Sequence, residues 1–371
     1  MTRHPEDVTG DPAVRGGRRP PRGLFVGLTT LDIIQLVDHV PAANEKITAR
    51  AQTVAAGGPA ANAAAAFSHL GGEATLLTAV GGHPLAAGIT ADLAQLGLRV
   101  VDLAADSDAP PAVSSILVTA ATGERAVASL NTTGRPVAVP PGPYVAELVA
   151  GADVVECDGH HIGPAIAVAR AARTAGRRTA LDGGSWKPGT EELLPLIDVA
   201  VCSADFRPPG ASTPVQVLDF LASSGAGVPW AAVTRGGDPV LWAGPGGARG
   251  ELPVAPAARI ADTLGAGDVL HGALAYALAA PPVDHRTADQ LTADQLTPDR
   301  LTADRLTPDR LTPGRRAADR LTGGRLTAGA FRTALAYASA VATASCASFG
   351  TRAWMREGSP VPLPAAPTLG E

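Results

Sequence analysis

The stretch Ala60-Ala61-Asn62-Ala63-Ala64-Ala65-Ala66-Phe67-Ser68-His69-Leu70-Gly71-Gly72-Glu73-Ala74-Thr75-Leu76-Leu77-Thr78-Ala79-Val80 decides the fold. Its first half, Ala60 to Leu70, is alanine-rich and free of proline, which predicts a helix that Gly71-Gly72 stops. Ala74 to Val80 is a short apolar run, the pattern of a buried strand. Outward from there, Gly23 to Leu28 reads as an earlier strand, and Leu85 to Leu96 as a second helix ended by Gly97. Further units follow: Val154-Val155 then Pro164 to Thr174; Arg178 to Leu181; Val199 to Cys202 then Pro214 to Ser223; Ala231 to Thr234. Strands alternating with helices make βαβ units and a mostly parallel sheet covered on both faces.

Composition narrows the class. A chain of 371 residues with 46% hydrophobic and 18% charged residues is ordinary for a globular protein, and α/β folds of this length often form one core. A net charge of -5 leaves no basic footprint for nucleic acid. No window approaches the roughly 18 apolar residues of a membrane span. Cys157, Cys202 and Cys346 are widely spaced without a CxxC pair, which argues against a disulfide framework or zinc site and for a reducing cytoplasm.

Three regions break the alternation. Ser114 to Thr119, the turn 121–124 and Arg125 to Leu130 read as a hairpin, and Ile33 to Val40 with Ile47 to Val54 as two more antiparallel strands. Together, 32–56 and 112–131 make a small antiparallel β lid beside the main sheet. Residues 1–22 are Pro/Gly/Arg-rich without an apolar signal-peptide centre, which predicts a disordered extension. Residues 284–328 carry a five-residue repeat, Leu291-Thr292-Ala293-Asp294-Gln295 onward, matching neither helix nor strand periodicity. They read as a polyampholyte insert rather than a binding element, between parts 23–283 and 329–361 of one domain, with a flexible tail over 362–371.

The chemistry concentrates at Asp262-Thr263-Leu264-Gly265-Ala266-Gly267-Asp268, leading into a helix over Val269 to Leu278. Small residues opening a helix leave free N–H groups at its positive end, a site suited to phosphate. Asp268 beside such a cradle is either a general base for an attacking hydroxyl or an acidic cap of the helix. In Gly57-Gly58-Pro59-Ala60-Ala61-Asn62, paired glycines admit a ligand against the backbone, and Asn62 either binds it or caps the helix. Asp32, just past the first strand, is a sugar-hydroxyl acceptor or a turn aspartate. His160 and His161 either touch the substrate or are solvated loop histidines, and in Asp182-Gly183-Gly184-Ser185-Trp186-Lys187 either Lys187 meets phosphate or turn chemistry accounts for the aspartate and glycines.

In this order the stretches resemble the ribokinase-like (phosphofructokinase B-type) carbohydrate kinases. The matching marks are Val26-Gly27-Leu28 with Leu31-Asp32, Gly57-Gly58 with Asn62, Val80-Gly81, the hairpin lid, Val233-Thr234 with Gly236, and the turn 262–268. Leu36-Val37-Asp38, Thr122-Gly123-Glu124-Arg125 and Asp158-Gly159-His160 look nearest to the ketohexokinase-like branch. The resemblance implies a three-layer α/β/α sandwich with a mostly parallel sheet and a small β lid, and ATP-dependent phosphorylation of a sugar hydroxyl. It implies Asp268 as base, with the N–H groups of Gly265, Ala266 and Gly267 stabilising the transferring phosphoryl group. Asp32, Gly58, Asn62 and Asp158 would meet the sugar; Thr234, Gly236, Cys346 and Gly350 would line the nucleotide. Mg²⁺ would bridge phosphate oxygens and keep most of its ligands as water. The resemblance also implies a homodimer through the lid.

Three departures bear on detail. Ser203-Ala204-Asp205-Phe206 stands where many members carry an Asn-x-x-Glu stretch linked to Mg²⁺, which leaves Asp205 as the metal candidate. Leu264 replaces a threonine of members activated by a monovalent cation, and Pro59 an asparagine that holds sugar in ketohexokinases. The rival readings are a nucleoside kinase of the same fold, for which the lid offers few stacking aromatics, and an inactive sugar-sensing protein.

Overall fold

The computed structural model describes residues 19–131, 137–223, 225–257, 259–279 and 326–356. The first half contains β1 (Arg22–Val26), β2 (Thr30–Val37), β3 (Ala51–Gly57), α1 (Pro59–His69), β4 (Glu73–Thr78), α2 (Ala86–Gln95), β5 (Arg99–Asp102), β6 (Ala112–Thr119) and β7 (Arg125–Ser129). Next come α3 (Gly142–Ala150), β8 (Val154–Cys157), α4 (Ile162–Thr174), β9 (Arg178–Gly183), α5 (Thr190–Leu193), β10 (Val199–Ser203) and α6 (Pro214–Ala222). The chain closes with β11 (Trp230–Arg235), β12 (Asp238–Ala243), β13 (Arg249–Leu252), α7 (Ala266–Ala279) and α8 (Ala328–Ser345).

Nine strands form the main sheet in the order β13-β12-β11-β10-β9-β8-β1-β4-β5. Every pair from β11 to β5 is parallel, while β12 and β13 extend the β11 edge antiparallel. Alternate residues of the inner strands feed opposite layers. Phe25, Leu76, Val154 and Val201 pack with α1, α2, α7 and α8, whereas Leu24, Val26, Val155 and Cys202 pack with α3, α4 and α6. This is the three-layer α/β/α sandwich expected. The alanine-rich faces of α1 and α7 have a packing reason: a Cβ on Gly272 would overlap the Ala63 carbonyl, so these helices approach at backbone distance.

Four strands form the lid in the order β3-β2-β6-β7. The β2–β3 and β6–β7 pairs are antiparallel as expected, and a parallel seam joins them, from Thr30 opposite Ala112 to Val37 opposite Thr119. Ile34, Ile116 and Val118 bury one lid face against Leu264 of the glycine turn and Phe349. The strand anticipated over 47–54 begins only at Ala51, opposite Leu36. Helix α3 and strands β5, β12 and β13 were not legible in the alternation.

Two boundaries move. Arg19 belongs to the domain, because its guanidinium meets both oxygens of Asp153 at 2.6 Å, and Arg22 N donates to the same carboxylate at 2.9 Å. At the other boundary, Leu326 packs on the core and Thr327 Oγ1 accepts from Ala330 N at 3.1 Å as the N-cap of α8. Leu326 and Thr327 therefore belong to the folded part of the chain rather than to the 284–328 insert. Its repeat, residues 1–18 and the 362–371 tail lie outside the described residues.

Candidate active site

The turn before α7 is built by one buried carboxylate. Asp262, 3% exposed, accepts from Leu264 N at 2.8 Å through one oxygen and from Gly350 N at 2.9 Å through the other. Gly265 then turns in the left-handed region, φ 73°, where a side chain would be strained. Its carbonyl accepts from Val269 N at 2.8 Å as α7 begins at Ala266. The amides of 265–267 therefore stand at the positive end of a helix, with Gly267 exposed. The lid reaches this turn: Arg125 Nη1 donates to Thr263 Oγ1 at 3.0 Å, and that hydroxyl donates to the Gly123 carbonyl at 3.3 Å.

Asp268 lies in the first turn of α7, and its Oδ2 accepts from Asn62 Nδ2 at 2.7 Å. Burial pushes its carboxyl up to about 7; the charge of Asp182 adds to this and the Asn62 hydrogen bond opposes it. Asn62 does not cap α1, whose N-cap is Gly58 at φ 93°. Its Oδ1 instead accepts from Arg352 Nη1 at 2.8 Å, and Arg352 Nη2 donates to the Ala56 carbonyl at 2.6 Å. Arg352 Nε lies 3.6 Å from Asp92 Oδ2. One guanidinium thus orients the asparagine amide, and the asparagine NH₂ faces the aspartate.

Asp32 is 4% exposed on β2, and its Oδ1 accepts from Thr30 Oγ1 at 2.6 Å. Burial raises its pKa, opposed by hydrogen bonds from Thr30 and Ser114 and by the Arg352 charge. The carboxylate occupies the space over Gly57, where any Cβ would overlap it. The first glycine of the pair therefore makes room for Asp32, and the second starts α1. Asp32, Asn62 and Asp268 come together around Arg352, and Gly58 begins the helix that carries Asn62.

Asp158 is the fourth residue that the resemblance implies for the sugar. It is 2% exposed, and its oxygens accept from Leu28 N at 2.7 Å, Ala60 N at 3.2 Å and His160 N at 2.8 Å. Three backbone amides occupy it, so it ties together the ends of β1 and β8 and the start of α1. His161 is not a solvated loop histidine: it is buried at the N-cap of α4, and burial lowers its pKa. Asp182 is not a turn residue either but lies within β9, buried, 3.2 Å from His271 Nε2. Burial pushes His271 down to about 4 and Asp182 up to about 7, so it disfavours charge on both partners of this contact. Lys187 Nζ turns to the carbonyls of Ser185 at 3.2 Å and Asp158 at 3.5 Å.

Among the residues expected on the nucleotide side, Thr234 lies near the end of β11 with its hydroxyl 3.4 Å from the Cys202 carbonyl, and Gly236 turns at φ 64°. Asp205 is exposed just past β10, its N–H donating to Ser203 Oγ at 3.0 Å. Cys346 and Gly350 are bonded to the glycine-turn loop: the Cys346 carbonyl accepts from Ala261 N at 2.8 Å and Asp262 N at 3.2 Å. Burial raises the Cys346 thiol pKa, in keeping with a packing role. Sequence reasoning missed Arg352, Glu156, His271 and the bracing role of Asp262. Only His271 carried a local signal, since it follows Asp268 by three positions and shares its helix face.

The fold and the lidded glycine turn define a class, the ribokinase-like sugar kinases. The sequence pattern described as pfkB family carbohydrate kinase matches residues 23–290, and the chain belongs to that family. It is accordingly a carbohydrate kinase, with ATP as the implied co-substrate. A putative ribokinase from Agrobacterium tumefaciens is 22% identical at a TM-score of 0.63, covering 90% of this chain and 94% of its own. Ribokinase from Giardia lamblia is 17% identical at a TM-score of 0.66, covering 90% and 95%. Arabidopsis thaliana ribokinase, solved with ribose and ATP, is 19% identical at a TM-score of 0.61, covering 90% and 94%. At these identities the likeness carries the fold alone.

Proposed function

We propose that the chain transfers the γ-phosphoryl group of ATP to a hydroxyl of a sugar or sugar-like small molecule, with Asp268 as general base. The sugar oxygen attacks the γ-phosphorus as the bond to the β-phosphate oxygen breaks, and the hydroxyl proton passes to the Asp268 carboxylate. ADP leaves. The amides of Gly265, Ala266 and Gly267 stabilise the charge of the transferring group. Asp32 and Asn62 hold sugar hydroxyls, and the backbone at Gly58 lies against the ring. Thr234 and Gly236 approach the phosphates, and Cys346 to Gly350 line the nucleotide beside the turn. Asp158 is a positioning residue that fixes the loops on which these groups stand.

The observation that supports this reading is the 2.7 Å bond from Asn62 to Asp268, which joins the start of α1, just after the glycine pair, to the first turn of α7. An exposed Asp205 at the end of β10 suits a largely hydrated Mg²⁺, which would neutralise phosphate charge when bound with ATP. Leu264, packed into the lid core, presents no oxygen for a monovalent cation from its side chain. The same proposal includes a homodimer through the lid, on which Val54 stays 53% exposed, and a cytoplasmic location consistent with three free cysteines. Among the described residues no helix is long and apolar enough to cross a membrane.

The test is Asp268→Asn assayed for ADP release against a panel of sugars and nucleosides. It keeps ATP binding and loses turnover about 10²–10⁴-fold on the substrate that wild type accepts. Near-normal turnover removes the base. A wild type that binds sugar yet releases no ADP on any member of the panel identifies a sensor instead.

A further inference from the structure

Behind the proposed base lies a cluster that the transfer reaction does not use. Glu156 from the middle of β8, Asp182 from β9 and His271 from α7 each offer one ligand atom, and these atoms all lie within 4.8 Å of one another. Strand alternation puts them there. Val155 and Cys157 point into the α3/α4/α6 layer, so Glu156 between them faces α7, as does Asp182 beside Leu181. All three side chains are buried.

A second observation points to an occupant. Glu156 is 1% exposed, and neither carboxylate oxygen has a hydrogen-bond partner among the described residues. Ionised, it is a buried charge without a counterion; protonated, its O–H finds no acceptor. Both states are costly in a low-dielectric interior. The surrounding charges do not resolve this. Asp182, Asp158 and Asp268 add negative potential, and Lys187, whose charge acts on Asp182, is turned to two backbone carbonyls.

We propose that Glu156, Asp182 and His271 form a site for one divalent transition cation of the Mn²⁺ or Zn²⁺ class. Two carboxylates with an imidazole suit such an ion better than Mg²⁺ or Ca²⁺, which take all-oxygen sets. Closing on an ion at about 2.1 Å requires the wider separations to shrink. The Glu156 carboxylate can rotate inward without breaking a hydrogen bond. The ion would pin β8, β9 and α7 together behind Asp268, away from the nucleotide's own Mg²⁺.

The experiment uses untagged full-length protein without nucleotide, so it does not depend on turnover. Elemental analysis after exchange into metal-free buffer, and titration with MnCl₂ or ZnCl₂, should find about one tightly held ion per chain. Melting temperature should rise roughly 3–8 °C at a hundredfold excess over Kd. Glu156→Gln and His271→Asn should each weaken binding at least about tenfold, whereas Asp205→Ala should not. A metal-free protein with no thermal response to either salt overturns the proposal, as does a Glu156→Gln variant that binds like wild type. Should both variants fail to fold, anomalous scattering from wild-type crystals grown with MnCl₂ decides: a peak touching all three side chains supports the site, and only water there refutes it.

Discussion

Replacing Arg352 with methionine is the most informative single perturbation of this molecule. The side chain is 12% exposed and carries a cation that meets three partners directly and two further carboxylates through its charge. It donates to Asn62 Oδ1 at 2.8 Å and to the Ala56 carbonyl at 2.6 Å, faces Asp92 at 3.6 Å, and its charge acts on Asp32 and Asp268. Methionine keeps much of the length and apolar contact but leaves the Asn62 amide oxygen and the Ala56 carbonyl without this donor, and removes the charge that faces Asp92. Breaking a buried pair from one side costs about 3–5 kcal/mol. At about 2 °C per kcal/mol for a chain of this size, melting should fall by about 6–10 °C in a calorimetric scan. The catalytic consequence is separate. Without the guanidinium, nothing orients the Asn62 amide toward Asp268, and a nearby positive charge is lost. The inflection of log kcat/KM against pH should move to higher pH, with kcat/KM at pH 7 lower by about 10–100-fold. Lysine at 352 keeps the charge without the fork, so it should restore the pH inflection more than the thermal stability. A methionine variant that melts within about 1 °C of wild type and shows a superimposable pH profile refutes the coupling.

Further outcomes follow from the same geometry. Because burial holds Asp268 near 7 and a base works deprotonated, wild-type kcat/KM should rise with pH through about 7; a plateau persisting to pH 5 contradicts this. A carboxyl with a raised folded pKa favours folding below its unfolded pKa and loses that contribution as pH rises through the folded value. Asp268→Asn should therefore melt above wild type at pH 8 and close to it at pH 4, as a pair of thermal scans would show. Gly57→Ala should displace the Asp32 carboxylate and raise KM for the sugar with little change in KM for ATP. Deleting 286–325 should leave melting and turnover nearly unchanged, because Leu326 and Thr327 remain to start α8; a large loss in either would give the insert a role.

Local patterns decided the architecture and the chemistry-bearing turn. Apolar runs and alanine-rich, proline-free stretches fix strand and helix over a few residues, and glycines with small residues mark where a helix N-terminus meets a ligand. The layered sandwich, the lid hairpin and Asp268 at the head of α7 were therefore legible in the chain. The fate of the polar residues was not. Asp158 and Asp32 are both aspartates in or just after a strand, yet three amides claim one, while a glycine on the neighbouring strand makes space for the other. Asn62 meets Asp268 across 206 positions and Arg352 across 290, and Glu156 faces His271 only because β8 lies under α7. Periodicity records which side of an element is apolar. Which distant partner a buried charge finds is set only when helices and strands pack, because the low-dielectric interior penalises every arrangement that leaves it alone.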